Sequence, residues 1–251
     1  MNTSAYWIEH FGRNALQQRI DWSVAPEITP GETCSILKSL QAWQLGETSE
    51  GHHLIRATQK YAIKVNDPQY LAAIRLFIKE EQKHGNNLGR YLDQIGQPRL
   101  KKNWGDTLFR KVRYFNTNME LWTLAVIAVE STAQLFYEAL KEATTCRLLK
   151  EICTDILLDE SYHITFQKER LAIIYHNNSV LSQKWKRPAY KLFFFLVSQL
   201  VWVAHARLFK AGGYSYQRYR GEMICKYNET IKAIMDIKQE LVQTKSTLSY
   251  E

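Results

Sequence analysis

The sequence has few of the residues that interrupt helices. Among 251 residues there are 5 prolines and 11 glycines. Between these breakers, apolar residues recur over long stretches at helical spacing. We therefore expect an all-α protein.

The sequence also has no Cys-x-x-Cys pair. This absence excludes a rubredoxin-type iron site and a zinc ribbon, both of which need paired thiolates. The four cysteines are Cys34, Cys146, Cys153 and Cys225. Cys146 and Cys153 are seven apart, on one helical face if the helix is continuous, and we interpret them as buried free thiols in a reducing compartment.

We expect neither a secretory leader nor a membrane span in this sequence. Residues 1–7 lack the basic region and apolar core of a secretory signal. The most apolar stretch, residues 192–204, is short for a bilayer span and is followed by His205 and Arg207. We expect a core or subunit-interface helix there rather than a transmembrane segment, with attachment to a membrane surface as the alternative. The expected location is cytoplasmic.

The net charge of +8 is compatible with nucleic acid, an anionic membrane or an acidic partner. It requires none of them, because the basic residues are scattered. The densest patch, residues 99–102, falls in a predicted loop. A solvated basic face is the favoured interpretation, and no motif supports nucleic-acid binding.

The order of helices and connections predicts a bundle. Helical patterns cover residues 31–65, 68–92, 119–143, 147–175, 189–211 and 216–245, with Gly46 bending or dividing the first. Residues 94–117 form a long connection with a helical turn at 108–114, whereas the other connections in the core are short. Two hairpins joined by one long crossover make a four-helix bundle. We expect one domain over 1–251, with a core at 46–176, an N-terminal arm and a C-terminal extension at 188–245.

Two Glu-x-x-His motifs stand out, Glu81-x-x-His84 and Glu160-x-x-His163. Residues three apart share a helix face, so each pair can reach one ion. Each motif continues an apolar stripe and is therefore expected to face the core. The stripes contain Ile74, Phe77 and Leu88, and Leu149, Cys153 and Ile156. A buried unpaired carboxylate is costly, and bound cations would neutralise it; the alternative is a charge-paired helix face.

A lone glutamate precedes each motif at a similar distance. In an antiparallel hairpin, residues equally far from the turn lie side by side. Glu130 is level with the second motif about a turn near residue 145. Glu50 is level with the first motif about a turn near Asn66, whereas the midpoint for its rival Glu47 falls before that turn. The spacing therefore favours Glu50, with Glu47 as the alternative.

This pattern resembles the ferritin-like di-iron carboxylate family, which has two halves of Glu plus Glu-x-x-His. The matching residues are Glu50, Glu81, His84, Glu130, Glu160 and His163. The resemblance implies a ferritin-like bundle, with some glutamates bridging two metals and others binding one. Four carboxylates and two imidazoles suit two iron ions, with manganese or mixed Mn/Fe as alternatives.

The resemblance implies oxygen chemistry but no particular reaction. We expect an oxidase or oxygenase that uses dioxygen, an organic substrate and an external electron donor; a homodimer is compatible with this. The alternatives are a ferroxidase or iron-storage protein and a non-enzymatic, metal-stabilised binding protein. Tyr61, Tyr137 and Tyr162 are candidates for hydrogen-bond donors or radical-forming residues near the site, although most buried tyrosines only pack.

Overall fold

The computed structural model describes residues 1–102 and 118–247. Within these ranges the regular structure is helical throughout, which confirms the all-α prediction. The helical turn predicted at 108–114 lies outside the described residues. The helices are α1 (Ser4–Asn14), α2 (Pro30–Glu47), α3 (His52–Val65), α4 (Pro68–Gln94), α5 (Met119–Ala143), α6 (Arg147–His176), α7 (Val180–Ala211) and α8 (Tyr216–Thr247).

Local signals set most of the helix starts. Proline opens α2 and α4, where the missing N–H costs nothing. Thr29 and Glu32 form a capping box at α2, and the Asp67 side chain caps α4. The exception is α7, which we predicted to begin at 189, after Pro188. It begins at Val180 and holds Pro188 inside the helix, with the Ser179 side chain as its cap.

The four-helix core contains α4, α5 and α6, and a fourth position that α2 and α3 fill in succession. Both α2 and α3 pack against α4. The predicted helical stretch at 31–65 is therefore divided, close to Gly46. Gly51 begins α3 with φ +64°, and a Cβ there would lie 2.6 Å from the Ile78 side chain. Only glycine fits this break without strain.

The remaining helices surround the core. α1 packs on α4 through Trp7 and Phe11, which are both 2% exposed. α7 packs against α5 and α2, and α8 packs against α6. The N-terminal arm is thus partly helical. The division into a core at 46–176 and an extension at 188–245 stays a prediction.

One helix in the described part of the chain, Leu181–Ala211, is long and apolar enough to cross a membrane by length and composition. Of its most apolar window, 39% is buried in the protein. Phe194, Val197 and Val201 lie on the buried side, whereas Leu192 and Leu196 are exposed. One side of this helix therefore packs in the core, and the other side exposes apolar residues.

Candidate metal centre

Side chains from α2, α4, α5 and α6 converge at the middle of the bundle. Two groups of potential metal ligands lie there, and the ligand atoms in each group are within 4.8 Å of one another. The first group is Glu47, Glu81, His84 and Glu160, and the second is Glu81, Glu130, Glu160 and His163. Glu81 and Glu160 belong to both groups, which is the arrangement expected of two adjacent ion positions with shared carboxylates.

These side chains are removed from water and lack hydrogen-bond partners on the atoms that point inward. His84, Glu160 and His163 are fully buried. The buried atoms without a hydrogen bond include Glu81 Oε1, His84 Nδ1, both carboxylate oxygens of Glu160, and His163 Nδ1. His163 Nδ1 lies 2.7 Å from Glu81 Oε1 and 3.5 Å from Glu160 Oε2 without hydrogen-bond alignment. Unpartnered buried polar atoms are rare in proteins, and here they face one another.

Burial and mutual repulsion perturb the carboxyl groups. Burial, together with the charges of Glu81 and Glu160, raises the pKa of Glu47 and of Glu130 well above the usual value. At Glu81 burial also acts upward, but the neighbouring His163 and His84 outweigh it and lower the pKa to about 2. Protons alone do not balance the charges of these buried carboxylates, which repel one another.

The donor set fits two divalent cations. Four carboxylates offset the charge of two such ions, and oxygen with imidazole nitrogen suits iron and manganese. The unpartnered Nδ1 atom of each histidine is available to bind a metal. The residues present therefore match the metals that the sequence pattern implies.

The structure brings together five of the six predicted residues and does not bring Glu50. The Glu50 side chain is 74% exposed between α2 and α3, and its carboxylate pairs with His52 at 2.6 Å. Glu47, at the end of α2, takes its place in the cluster and is 8% exposed. The preference for Glu50 over Glu47 is therefore corrected, because Glu47 lies in the cluster and Glu50 does not.

The correction has a geometric cause. The comparison of midpoints assumed one helix that rises about 1.5 Å per residue from the site to the turn. Residues 48–51 are not helical and do not rise along a helix axis in this way. The residue that lies level with the first Glu-x-x-His motif is therefore earlier in the sequence than the comparison of midpoints predicts. Gly85 allows the end of α2 to lie close against α4. A Cβ at Gly85 would lie 2.8 Å from Thr48 Cγ2 and 3.1 Å from the Glu47 backbone carbon.

Two further carboxylates, which the sequence analysis missed, support the histidines from outside. His84 Nε2 lies 3.1 Å from Asp159 Oδ2, and His163 Nε2 lies 2.8 Å from Glu80 Oε2. Each carboxylate comes immediately before the Glu of the opposite motif, so the two supports cross between α4 and α6. The signal was present in the sequence as an acidic residue directly before each Glu-x-x-His.

The N-terminal arm reaches the same carboxylates. The Asn14 amide donates to Glu80 and to Asp159, and Arg19 pairs with Asp155 and Asp159. Burial opposes ionisation of Asp159, but His84, Asn14 and Lys83 hold its pKa below the usual range. The arm therefore helps to keep this outer carboxylate charged.

We expect Glu80→Ala to weaken metal binding at the His163 side roughly 10- to 100-fold, since loss of a carboxylate behind a histidine ligand typically has this effect. Competition with a chelator, measured on folded protein, gives the affinity. Asp93→Ala is the control, because Asp93 is an exposed acid on the same helix, paired with Arg99. Equal affinities for the two variants would contradict the supporting role of Glu80.

Of the three candidate tyrosines, Tyr137 contacts the cluster. Its hydroxyl donates to Glu47 Oε1 at 2.7 Å, and Trp43 Nε1 donates to the same oxygen at 2.8 Å. These two hydrogen bonds hold the Glu47 carboxylate in place beside the other ligands. Tyr162 is 39% exposed and packs on His10, and Tyr61 packs on Tyr70.

No family model matches the sequence, and no curated protein matches it. Solved structures do match the fold. An R2-like ligand-binding oxidase without metal cofactor is 16% identical, with a TM-score of 0.64, covering 92% of this chain and 96% of that chain. A variant of the R2-like ligand-binding oxidase with aerobically reconstituted Mn/Fe cofactor is 15% identical, with a TM-score of 0.68 and coverage of 92% and 97%. At this identity the likeness shows the fold, a ferritin-like helical bundle.

Proposed function

We propose that this protein is an oxidase or oxygenase with two iron ions, or one manganese and one iron, which uses dioxygen to oxidise an organic substrate. The observation that carries the proposal is the pair of four-residue groups that share Glu81 and Glu160. The fold is that of oxidases whose structures hold an Mn/Fe cofactor, and this supports the choice of metals. The four free cysteines support a reducing, cytoplasmic location.

The residues divide by group. Glu47 and His84 would hold one metal, Glu130 and His163 would hold the other, and Glu81 and Glu160 would serve both. When bound, two adjacent redox metals supply electrons for the reduction of dioxygen. An external donor is needed to return these electrons, and it forms part of the proposal.

The chain contributes orientation, proton placement and exclusion of water. Asp159 and Glu80 each accept from Nε2 of a histidine, and this fixes the ring orientation with Nδ1 toward the cluster. Trp43 and Tyr137 both bind one oxygen of Glu47 and so fix its carboxylate. Burial and the neighbouring Glu47 raise the pKa of Tyr137 well above its usual value, so its hydroxyl keeps its proton and remains a hydrogen-bond donor to Glu47. Phe77 packs edge-to-face with the His163 ring, with the ring centroids 4.8 Å apart, and keeps that side apolar.

The proposed function is tested by loading the metal-free protein with ferrous iron, or with manganese and iron, without oxygen and then admitting air. We expect about two metals per chain and an oxygen-dependent absorption band, since both ligand groups are complete. An oxygen electrode then measures consumption with candidate substrates and a reductant. Oxygen uptake that oxidises only ferrous iron would identify a ferroxidase instead, and a protein that takes up zinc but no iron would refute the proposal.

Metal loading should also stabilise the fold. Each metal present at about 100 times its Kd adds roughly 2.7 kcal/mol, and 1 kcal/mol raises the Tm of a chain this size by about 2–4 °C. We therefore expect two metals to raise the Tm by at least about 10 °C in a thermal melt. The same melt with magnesium is the control, because magnesium keeps its waters and suits the two histidines poorly. An unchanged Tm with iron would contradict a buried two-metal site.

A further inference from the structure

The outward side of α7 carries a continuous row of exposed apolar side chains. We call this row the outer stripe; it consists of Leu181, Trp185, Leu192, Leu196 and Val203, which are 70%, 75%, 60%, 57% and 71% exposed. The intervals of four and seven residues keep all five on one helix face. The stripe extends over about 33 Å at the usual helical rise. A monomeric soluble protein rarely leaves an apolar row of this length uncovered.

The charged residues of α7 itself all have one sign. Exposed Lys184 and Lys191 flank its first half, and exposed Arg207 and Lys210 follow its end, whereas the Arg187 side chain turns back to Tyr175 and Met235 of the bundle. Residues 180–211 contain no aspartate or glutamate. Trp185 stands among the cations, as tryptophan does where a protein meets a bilayer surface. An apolar row flanked by cations is complementary to an anionic lipid surface.

The same charges oppose pairing with a second copy through this face. A symmetric dimer brings the same patch of both copies together. Four exposed cations from each copy, Lys184, Lys191, Arg207 and Lys210, would then approach one another with no acidic residue on α7 to compensate. Like charges placed opposite one another destabilise an interface.

The packing of α7 determines how it can meet a membrane. Its other side is buried through Phe194, Val197 and Val201 against the bundle. Lys186 Nζ also pairs with Glu120 Oε2 of α5 at 2.6 Å, and the Tyr190 hydroxyl binds the same carboxylate. A transmembrane orientation would break these contacts. The helix is held along the side of the bundle, so its outer face meets a bilayer lengthwise.

We propose that the outer stripe of α7 docks this protein on the surface of an anionic phospholipid membrane, with the helix axis parallel to the bilayer. The stripe enters the boundary between head groups and acyl chains, and the flanking lysines and arginines bind phosphate groups. The proposal does not depend on the metal centre. It makes the protein a peripheral membrane protein.

Flotation of the full chain with lipid vesicles tests the proposal. Vesicles of phosphatidylcholine alone are compared with vesicles containing phosphatidylglycerol, and we expect the chain to float with the anionic vesicles. Lys184→Gln/Lys191→Gln should weaken that binding roughly 25-fold, since each cation near an anionic surface contributes about a fivefold factor. Leu192→Glu/Leu196→Glu should weaken it at least about tenfold, because it places charges in the apolar row.

The matched control is Leu16→Glu/Ile63→Glu, which changes two exposed apolar residues away from α7, 81% and 76% exposed. It should float like the unaltered chain, and a circular-dichroism melt checks that every variant is folded. Three results would overturn the proposal: no flotation of the unaltered chain, equal flotation with neutral and anionic vesicles, or full binding by Leu192→Glu/Leu196→Glu. A dimer seen by light scattering and lost in that same variant would show that a second copy covers the stripe, which also overturns it.

Discussion

Glu160→Gln is expected to leave the protein without either metal. Glu160 belongs to both ligand groups, and neither of its oxygens has a hydrogen-bond partner. The amide keeps the shape of the side chain but cannot serve two cations as a carboxylate does. We expect metal content to fall from about two per chain to nearly none, and oxygen consumption to fall roughly 1000-fold or more, since bound metals contribute several kcal/mol to such reactions.

A second readout separates loss of metal from loss of folding. The charge of Glu160 helps to raise the pKa of Glu47 and of Glu130, so its removal relieves repulsion in the metal-free protein. The metal-free variant should therefore melt no lower than the metal-free parent, while iron no longer raises its Tm. Glu142→Gln, an exposed change on α5, is the control and should keep both metals. Full metal content in Glu160→Gln would contradict the shared role.

Glu47→Ala and Glu50→Ala are expected to have opposite results. Glu47 belongs only to the first ligand group, so its loss leaves Glu81, Glu130, Glu160 and His163 in place. We expect about one metal per chain and loss of oxygen consumption, because the reaction needs two adjacent redox metals. The change also leaves the Tyr137 hydroxyl and Trp43 Nε1 without their common acceptor.

Glu50→Ala removes an exposed carboxylate whose partner is the exposed His52. We expect two metals, unchanged oxygen consumption and a change in stability within about 0.5 kcal/mol, which is usual for surface positions. Elemental analysis and oxygen uptake of the two variants, prepared in parallel, measure the contrast. Loss of metal in Glu50→Ala with retention in Glu47→Ala would restore the first interpretation of the sequence.

The core of the site could be predicted because its signals are local. Glu81, His84, Glu160 and His163 interrupt apolar stripes at helical spacing, and that spacing fixes which face they share. Glu130 could be predicted because α5 and α6 are continuous helices joined by a short turn. Residues of α5 and α6 that are equally far from this turn lie side by side.

The position of Glu47 could not be predicted in the same way. It depends on where the helix breaks between residues 48 and 51, and that break depends on tertiary contacts. Gly51 lies against Ile78, and Gly85 lies under Thr48, so both glycines act through residues distant in sequence. Asn14 likewise reaches Glu80 and Asp159 from an arm whose pattern indicates little by itself.

The carboxylates that bind the histidines from outside, Asp159 and Glu80, could be predicted only in part. The sequence shows an acidic residue before each ligand Glu, but the pairing is crossed. His84 binds Asp159 of α6 and His163 binds Glu80 of α4. A residue next to a ligand in sequence points to a different side of its own helix, and only the packing of α4 on α6 shows which ring it meets.

The most direct test of the central claim is a crystal structure of the iron-loaded protein with anomalous diffraction measured at the iron edge. We predict two separate anomalous peaks inside the bundle, one beside Glu47 and His84 and the other beside Glu130 and His163, with Glu81 and Glu160 between them. A single peak, a peak beside Glu50, or no iron among these side chains would contradict the account.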